Sequence, residues 1–285
     1  MNKNNFEKKI DFALVISVKN ANPNGDPLNG NRPRVNYSER GEISDVCIKR
    51  KIRNRLIQEG KNVFVQMNEN KVDEYDSLSK RFEAAMVKIG KKTEKEKFDF
   101  FCAEWIDVRA FGQVFAFKSA DKGVSIGVRG PVSIHPAFSV EPITTTSIQI
   151  TKSVNSESKE GGKSSDTMGM KHRVDFGLYV TYGSINVELA NKTGFSAEDA
   201  EDIKNALLTL FRNDASSARP EGSMVMEKLI WWKHNNSYGQ YSSAKVHKSL
   251  VINKKSLEKD SENINDYDII VEPLEGLEVE ILDGE

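Results

Sequence analysis

The sequence predicts an α+β fold, a βαββαβ core interrupted by long insertions, and three observations carry that prediction. Apolar, β-patterned runs alternate with segments of helical periodicity, two in the core and two in an insertion. The stretches between them are too long and too polar to be simple connections. No apolar run approaches the length needed to cross a bilayer, and the mean hydropathy is −0.53.

The first strand is Phe12 to Val18, where apolar residues fill both alternating sets, the pattern of a strand buried on both faces. Its basic lead resembles a poor signal peptide, but no small-residue cleavage site follows. The stretch "NANPNGDPLNGNRPRVN", Asn20 to Asn36, is dense in turn formers. In "ISDVCIKRKIRNRLIQEG", Ile48, Ile52 and Leu56 repeat every four residues, Ser44 is an N-cap and Gly60 lies past the end, which predicts the first helix. Residues 61–122 read as an inserted lobe with two helical segments, "DEYDSLSKRFEAAMVKIG" and "EKEKFDFFCAEWIDVRAFGQVFA".

"GVSIGVRGPVSI", Gly123 to Ile134, predicts a second strand broken by Gly and Pro, and "TSIQIT" starts another extended segment. Lys152 to Lys171 is polar and aperiodic, which predicts a mobile projecting loop. Alternation resumes at Phe176, Leu178, Val180 and Tyr182, pauses at Gly183-Ser184 and continues at Ile185, Val187 and Leu189, so a hairpin is expected there. "FSAEDAEDIKNALLTLFRN" is a helix with a Ser196/Asp199 capping box, and "SMVMEKLIWWKH" is the last strand. In order these give the ferredoxin-like, or split βαβ, arrangement that RNA-recognition modules also use. The division expected is a discontinuous core, 1–60 and 123–259, with an excursion at about 144–173, the insertion 61–122, and an acidic tail, 260–285.

That tail holds ten acidic residues and no Lys or Arg, leaving the first 259 residues with 41 basic against 32 acidic side chains, a formal +9. A basic body points to a polyanionic partner. Only Cys47 and Cys102 occur, far apart and in unlike contexts, which argues against a disulfide framework and for a reducing cytoplasm.

Catalytic motifs fail on inspection. Gly25 and Gly30 have P-loop spacing, but Asn31-Arg32 follow where Lys and Ser/Thr are needed, and "GGKSS" has Glu157 in place of its first Gly. A calcium loop starting at Asp26 ends on Tyr37 rather than Glu. His135, His172, His234 and His247 are isolated and neither Cys has a neighbouring His, so no metal, cofactor or nucleophile is expected. What remains is a basic constellation: Arg32 and Arg34, then Lys49, Arg50 and Arg53 on the first helix, with Gly/Asn/Pro backbone able to approach a sugar-phosphate chain. A solvated cationic helix after an irregular loop is the alternative.

Taken in order, "NPNGDPLNGNRPRVN", "SDVCIKRKIRNRL", "DVRAFGQVFAF", "GVRGPVSI", "SSDTMGMKHRVDFGLYVTYG" and "NDASSARPEGSM" closely resemble the CRISPR-associated backbone subunit of type I Cascade complexes, most like the type I-C variety. The resemblance runs from about Phe12 to His247 and leaves the acidic tail outside. It implies an RNA-recognition-like palm, a helical fingers insertion and a long hairpin thumb. It implies a non-enzymatic protein whose copies line up along the CRISPR RNA spacer while the guide pairs with a target DNA strand. Its partners would be the subunit that processes the CRISPR RNA and holds its 5′ handle, the large subunit and the small subunit, with no membrane involved.

Carried onto this chain, Arg32, Arg34, Lys49, Arg50 and Arg53 would hold guide phosphates, with a side-chain contact from Asn24, although Arg50 or Arg55 could instead brace the loop. Thr151, Lys152, Ser153 and Asn155 would meet RNA at one root of the thumb. Met170, Lys171 and His172 would do so at the other, Met170 as an apolar wedge; packing of Met168 and Met170 on a neighbouring subunit is the alternative. Two other functions stay open. Type III backbone subunits cleave RNA with a loop aspartate and metal, a role for Asp26 unless it is a turn former, and a general single-strand RNA-binding protein would bind without ordered assembly.

Overall fold

β1 (Ile10–Ala21) runs through the middle of the molecule and is covered on both sides, as its double apolar register requires. The computed structural model describes residues 5–117, 125–151 and 168–285. After β1 come two short strands, β2 (Gly25–Asp26) and β3 (Arg32–Pro33), then β4 (Arg40–Ile43) and helix α1 (Asp45–Gln58), which Ser44 caps by accepting from the Cys47 amide. The insertion contributes α2 (Leu78–Ile89), α3 (Glu94–Glu104), α4 (Ile106–Phe111) and a small ribbon, β5 (Gln113–Phe115) with β6 (Ile126–Val128). Next are β7 (Val132–Ile134), β8 (Ala137–Pro142), β9 (Thr145–Thr151) and β10 (Met168–Ile185). The chain ends with α5 (Val187–Thr193), α6 (Ala197–Leu208), β11 (Met224–Lys233), α7 (Ser243–Lys248), β12 (Leu250–Lys254), β13 (Tyr267–Val271) and β14 (Glu278–Asp283).

The fold is α+β around a large antiparallel sheet of order β14-β11-β1-β10-β8-β4, with β7 and β9 also paired to β10. α1 lies between β1 and β8 in sequence, and α6 between β10 and β11. Both helices pack on one face: Ile48, Ile52 and Leu56 of α1 and Ile203 and Leu207 of α6 close over Phe12, Leu14 and Ile16. Each such side chain contributes about 1.5–3 kcal/mol by leaving water. On the other face Ala13, Val15 and Trp232 lie under Val246, Leu250 and Tyr267. A second cluster in the insertion gathers Phe64, Phe82, Phe101, Trp105 and Phe115.

Several expectations are corrected. Gly183-Ser184 is not a turn: both residues lie inside β10, paired to β1 and to β7. A Cβ on Gly183 would meet the Phe12 ring at 2.1 Å and the Ser133 carbonyl at 2.6 Å, so glycine is there for close packing. The alternation beyond it is not a strand, because Asn186 accepts from the Leu189 amide and starts α5. The single strand expected over Gly123 to Ile134 is two strands in different sheets, parted where Gly130 packs against the Ala110 carbonyl. The second helical segment of the insertion breaks at extended Trp105 and ends in β5. Residues 260–285 are folded into the body, β13 beside β12 and β14 along β11. There Glu280 pairs with Lys204 and Lys233, and Asp283 lies 2.7 Å from Lys228. None of the described helices is long and apolar enough to cross a membrane.

Candidate nucleic-acid interface

The turn-rich stretch after β1 folds, with β4, into two consecutive hairpins. In the first, β2 pairs with β3 around Pro27–Asn29, and the Asp26 carboxylate accepts from the Leu28 amide at 3.1 Å. Asp26 is a turn former here, and the Arg34 guanidinium lies 3.6 Å from it. Gly30 and Asn31 take positive φ to close the turn. In the second hairpin Glu42 donates to the Arg34 carbonyl, Val35 pairs with Gly41 and Asn36 donates to the Arg40 carbonyl. Its tip is fixed by the Asn36 side chain, whose oxygen accepts from the Ser38 and Arg40 amides at 2.9 and 3.1 Å.

Three stretches distant in sequence converge on the base of these hairpins. The Asn24 side-chain oxygen accepts from both the amide and the hydroxyl of Ser44, each at 2.9 Å, tying the loop to the start of α1. Asn22 donates through its amide to the Ala218 carbonyl and through Nδ2 to the Asn31 carbonyl. Lys51, 1% exposed, forms an ion pair with Asp214, which Arg219 also contacts at 3.3 Å. Burial pulls the Lys51 ammonium below its ordinary range despite that carboxylate. Asn24 is thus occupied internally through its oxygen.

The cations expected on α1 have unequal surroundings. Lys49 is 3.0 Å from Asp45, one turn before it. Arg50 has no acidic partner among the described residues, and its buried Nε has no hydrogen-bond acceptor there. Arg53 donates to Asp107 at 2.9 Å and lies over the Phe111 ring, and Asp107 also accepts from the Phe64 and Val65 amides. Arg53 therefore braces the insertion. Arg55 holds the end of α1 through Thr209 and Glu59 rather than the loop.

Beyond β1, the β9/β10 arm continues alone. Asn20 takes φ +55°, a left-handed conformation that asparagine tolerates. Across this point the strand faces exchange: Phe176 and Leu178 pack on the α7 side, whereas Val174 packs with Val18 and α1. His172, Met170 and Met168 follow Val174 at alternate positions, so they share its side. Met170 is exposed opposite Gln149, Thr151 is exposed opposite Met168, and Lys171 is exposed opposite Ile148. His172 is buried, its Nδ1 bonded to the Ser147 hydroxyl at 2.8 Å. Lys152, Ser153 and Asn155 lie outside the described residues.

The structure adds residues that sequence reasoning passed over. Lys51 and Asp214 anchor the site, and Lys51 was findable, because it stands three residues after Ile48 on the apolar stripe of α1. Fully exposed Tyr37 and Leu28 tip the two hairpins, and nothing in their residue type signals it. Among the described residues no group of three His, Cys, Asp or Glu could hold a metal ion.

An antiparallel α+β protein with an anchored, arginine-bearing double hairpin beside a projecting strand pair is the class that this geometry defines. The profile of CRISPR-associated protein Cas7 matches residues 8–272, and the chain belongs to that family. The match extends past His247 and into the acidic segment. The CRISPR-associated protein Cas7 of Haloferax volcanii is 23% identical over 301 aligned positions, covering 94% of this chain and 83% of that one. Two solved chains are also similar. One, from a "CRISPR RNA-guided surveillance complex, pre-nicking", has TM-score 0.49 and 17% identity over 79% of this chain and 78% of its own. The other, from a "CRISPR RNA-guided surveillance complex", has TM-score 0.43 and 16% identity over 79% and 68%.

Proposed function

We propose that this protein is a non-catalytic, guide-RNA-binding backbone subunit of a Cascade-like surveillance complex, most like the type I-C variety, whose copies assemble along the CRISPR RNA spacer. The observation that carries the reading is that the double hairpin is tied to the start of α1 and that Val174, at the root of the arm on the side Met170 shares, packs in the same cluster as α1. Sheet order β11-β1-β10-β8 with α1 and α6 on one face supports an RNA-recognition-like palm. Such palms stack bases on the opposite face. Here α7, β12 and β13 cover that face, and in this reading the RNA runs over the hairpins and the arm instead.

In this reading Arg32, Arg34, Lys49 and Arg50 hold phosphates, and the Thr151 and Lys171 region of the arm, with Lys152, Ser153 and Asn155, crosses the strand, Met170 wedging between bases. Contacts of this kind are to backbone, so any spacer sequence is accepted and base pairing supplies specificity. Expression with and without a CRISPR array, purification at moderate salt, and joint measurement of particle mass and bound RNA test it. Multimers enriched in array transcripts are expected; a nucleic-acid-free monomer from both cultures overturns it. The non-catalytic part rests on Asp26 serving its own turn, and metal-dependent cleavage of paired RNA that is lost in Asp26→Ala would reverse it.

A further inference from the structure

Tyr37 stands at the tip of the second hairpin with its ring fully exposed. Proteins ordinarily lay part of an aromatic ring on apolar neighbours, since an exposed ring leaves a large apolar area in water. The backbone that carries Tyr37 is held in one turn. The turn beneath it is fixed by the two amides that the Asn36 side chain accepts, by the Asn36 amide on the Arg40 carbonyl, and by the Glu39 amide on the Asn36 carbonyl. The backbone takes the strained positive φ of Glu39, +56°, to complete that turn. A rigid support holding an uncovered ring is the form of a stacking platform.

Its surroundings name the ligand. Arg32 and Arg34 lead into the hairpin, and Arg40 closes the turn; neither Arg32 nor Arg40 has a carboxylate partner among the described residues. Aromatic rings interleaved with guanidinium groups bind single-stranded nucleic acid, the rings taking base faces and the cations taking phosphates. A second exposed tyrosine, Tyr238, also sits in an asparagine-held turn, with Asn236 accepting from the Tyr238 and Gly239 amides, but no arginine lies in the segment 233–243 and the cation packed against the turn is Lys9, whose amide donates to the Asn236 carbonyl. We infer that the Tyr37 ring is a nucleobase-stacking platform, holding one unpaired base of the RNA whose phosphates Arg32 and Arg34 bind. The inference rests on the RNA-binding reading above and adds a base contact to it.

Stacking and ion pairing separate by salt. A neutral ring releases no counterions, so its loss weakens binding without altering the slope of log affinity against log salt, whereas loss of a phosphate-binding arginine reduces the slope. The full chain is titrated into a single-stranded RNA carrying one fluorescent adenine analogue (2-aminopurine) at successive positions, over a salt series. Tyr37→Ala is expected to weaken binding roughly 5- to 100-fold with the slope unchanged and to remove the quenching of the analogue at one position. Tyr37→Phe and Tyr238→Ala are expected to stay within about twofold of the parent. Parent-like affinity and quenching in Tyr37→Ala, while Arg32→Ala still reduces the slope, overturns the stacking role and leaves the RNA-binding reading standing. No binding by the parent chain at low salt overturns both. Unchanged RNA affinity with lost self-association in Tyr37→Ala assigns the ring to a protein contact and likewise overturns the inference.

Discussion

The double hairpin and α1 are neighbours in sequence and both are rich in cations, yet they use them in opposite ways. On α1, four cations face a carboxylate of the protein itself: Lys49 with Asp45, Lys51 with Asp214, Arg53 with Asp107 and Arg55 with Glu59. On the hairpins only Arg34 has such a neighbour among the described residues, at 3.6 Å. The difference follows from place. α1 is wedged between the sheet, α6 and the insertion, where burial favours an internal counter-charge, and Arg50 is the one cation of the helix without a carboxylate partner among the described residues. On the hairpins Arg32 and Arg40 are exposed, where a guanidinium needs no counter-charge and stays available to a polyanion, and half-buried Arg34 is the one that lies near a carboxylate.

The contrast is broken most directly at Asp214. Asp214→Ala leaves the buried Lys51 ammonium without its carboxylate and is expected to cost about 3–5 kcal/mol in urea unfolding, while Lys51→Met, which keeps the volume and leaves Asp214 with Arg219 at 3.3 Å as its counter-charge, is expected to cost about 1.5 kcal/mol or less. Equal losses in the two variants would mean that the pair, rather than the avoidance of an unpaired charge, carries the stability. Next in size is Asp107, fully buried, which anchors Arg53 and the Phe64 and Val65 amides. Asp107→Ala is expected to cost about 2–4 kcal/mol, since it orphans a buried amide, a partly buried one and a cation. Arg53→Ala is expected to destabilise as well but to leave the salt slope of RNA binding unchanged, because Arg53 already has its anion.

Internal pairing also has a pH signature. Asp199 is buried, which by itself would raise its pKa. The Arg109 guanidinium, at 2.6 and 2.9 Å, and the Ser196 amide and hydroxyl outweigh that effect and hold it below its ordinary value. A carboxyl that is more acidic in the folded state than in the unfolded one stabilises the fold fully above the unfolded pKa, near 4, and loses that stabilisation as the pH falls through the folded value. Thermal melting is therefore expected to drop below about pH 4, with a shallower acid slope in Asp199→Asn. An unchanged slope would remove this pair from the acid response.

How much of this was legible depends on whether a residue's role is local or long-range. The Ser44 and Ser196 caps, the doubly buried β1 and the α1 stripe follow from short-range chemistry and were readable. Gly183 was misread because a hairpin signal and a packing glycine look alike until Phe12 and Ser133 are known to lie against it. The acidic segment was misread as a tail because its partners, Lys204, Lys228 and Lys233, lie elsewhere in the chain. In the candidate site, the turn-rich stretch and its arginines were visible, but Asp214 and Asp107 decide which cations of α1 remain available, and neither is near α1 in sequence.

The mildest change sharpens the comparison furthest. Arg32 is exposed and has no internal anion among the described residues, so Arg32→Ala is expected to leave unfolding within about 0.5 kcal/mol of the parent. If its guanidinium neutralises one phosphate of a single strand, the slope of log affinity against log salt should shrink by about 0.7 for every RNA sequence alike. Arg50→Ala should act in the same direction, as the one cation of α1 without a carboxylate neighbour among the described residues, whereas Lys49→Ala should have a smaller effect because Asp45 competes for its charge. A slope that changes with Lys49 and not with Arg32 or Arg50 would invert the assignment. It would mean that the RNA displaces Asp45 from Lys49 and runs along α1, with the hairpins merely flanking it.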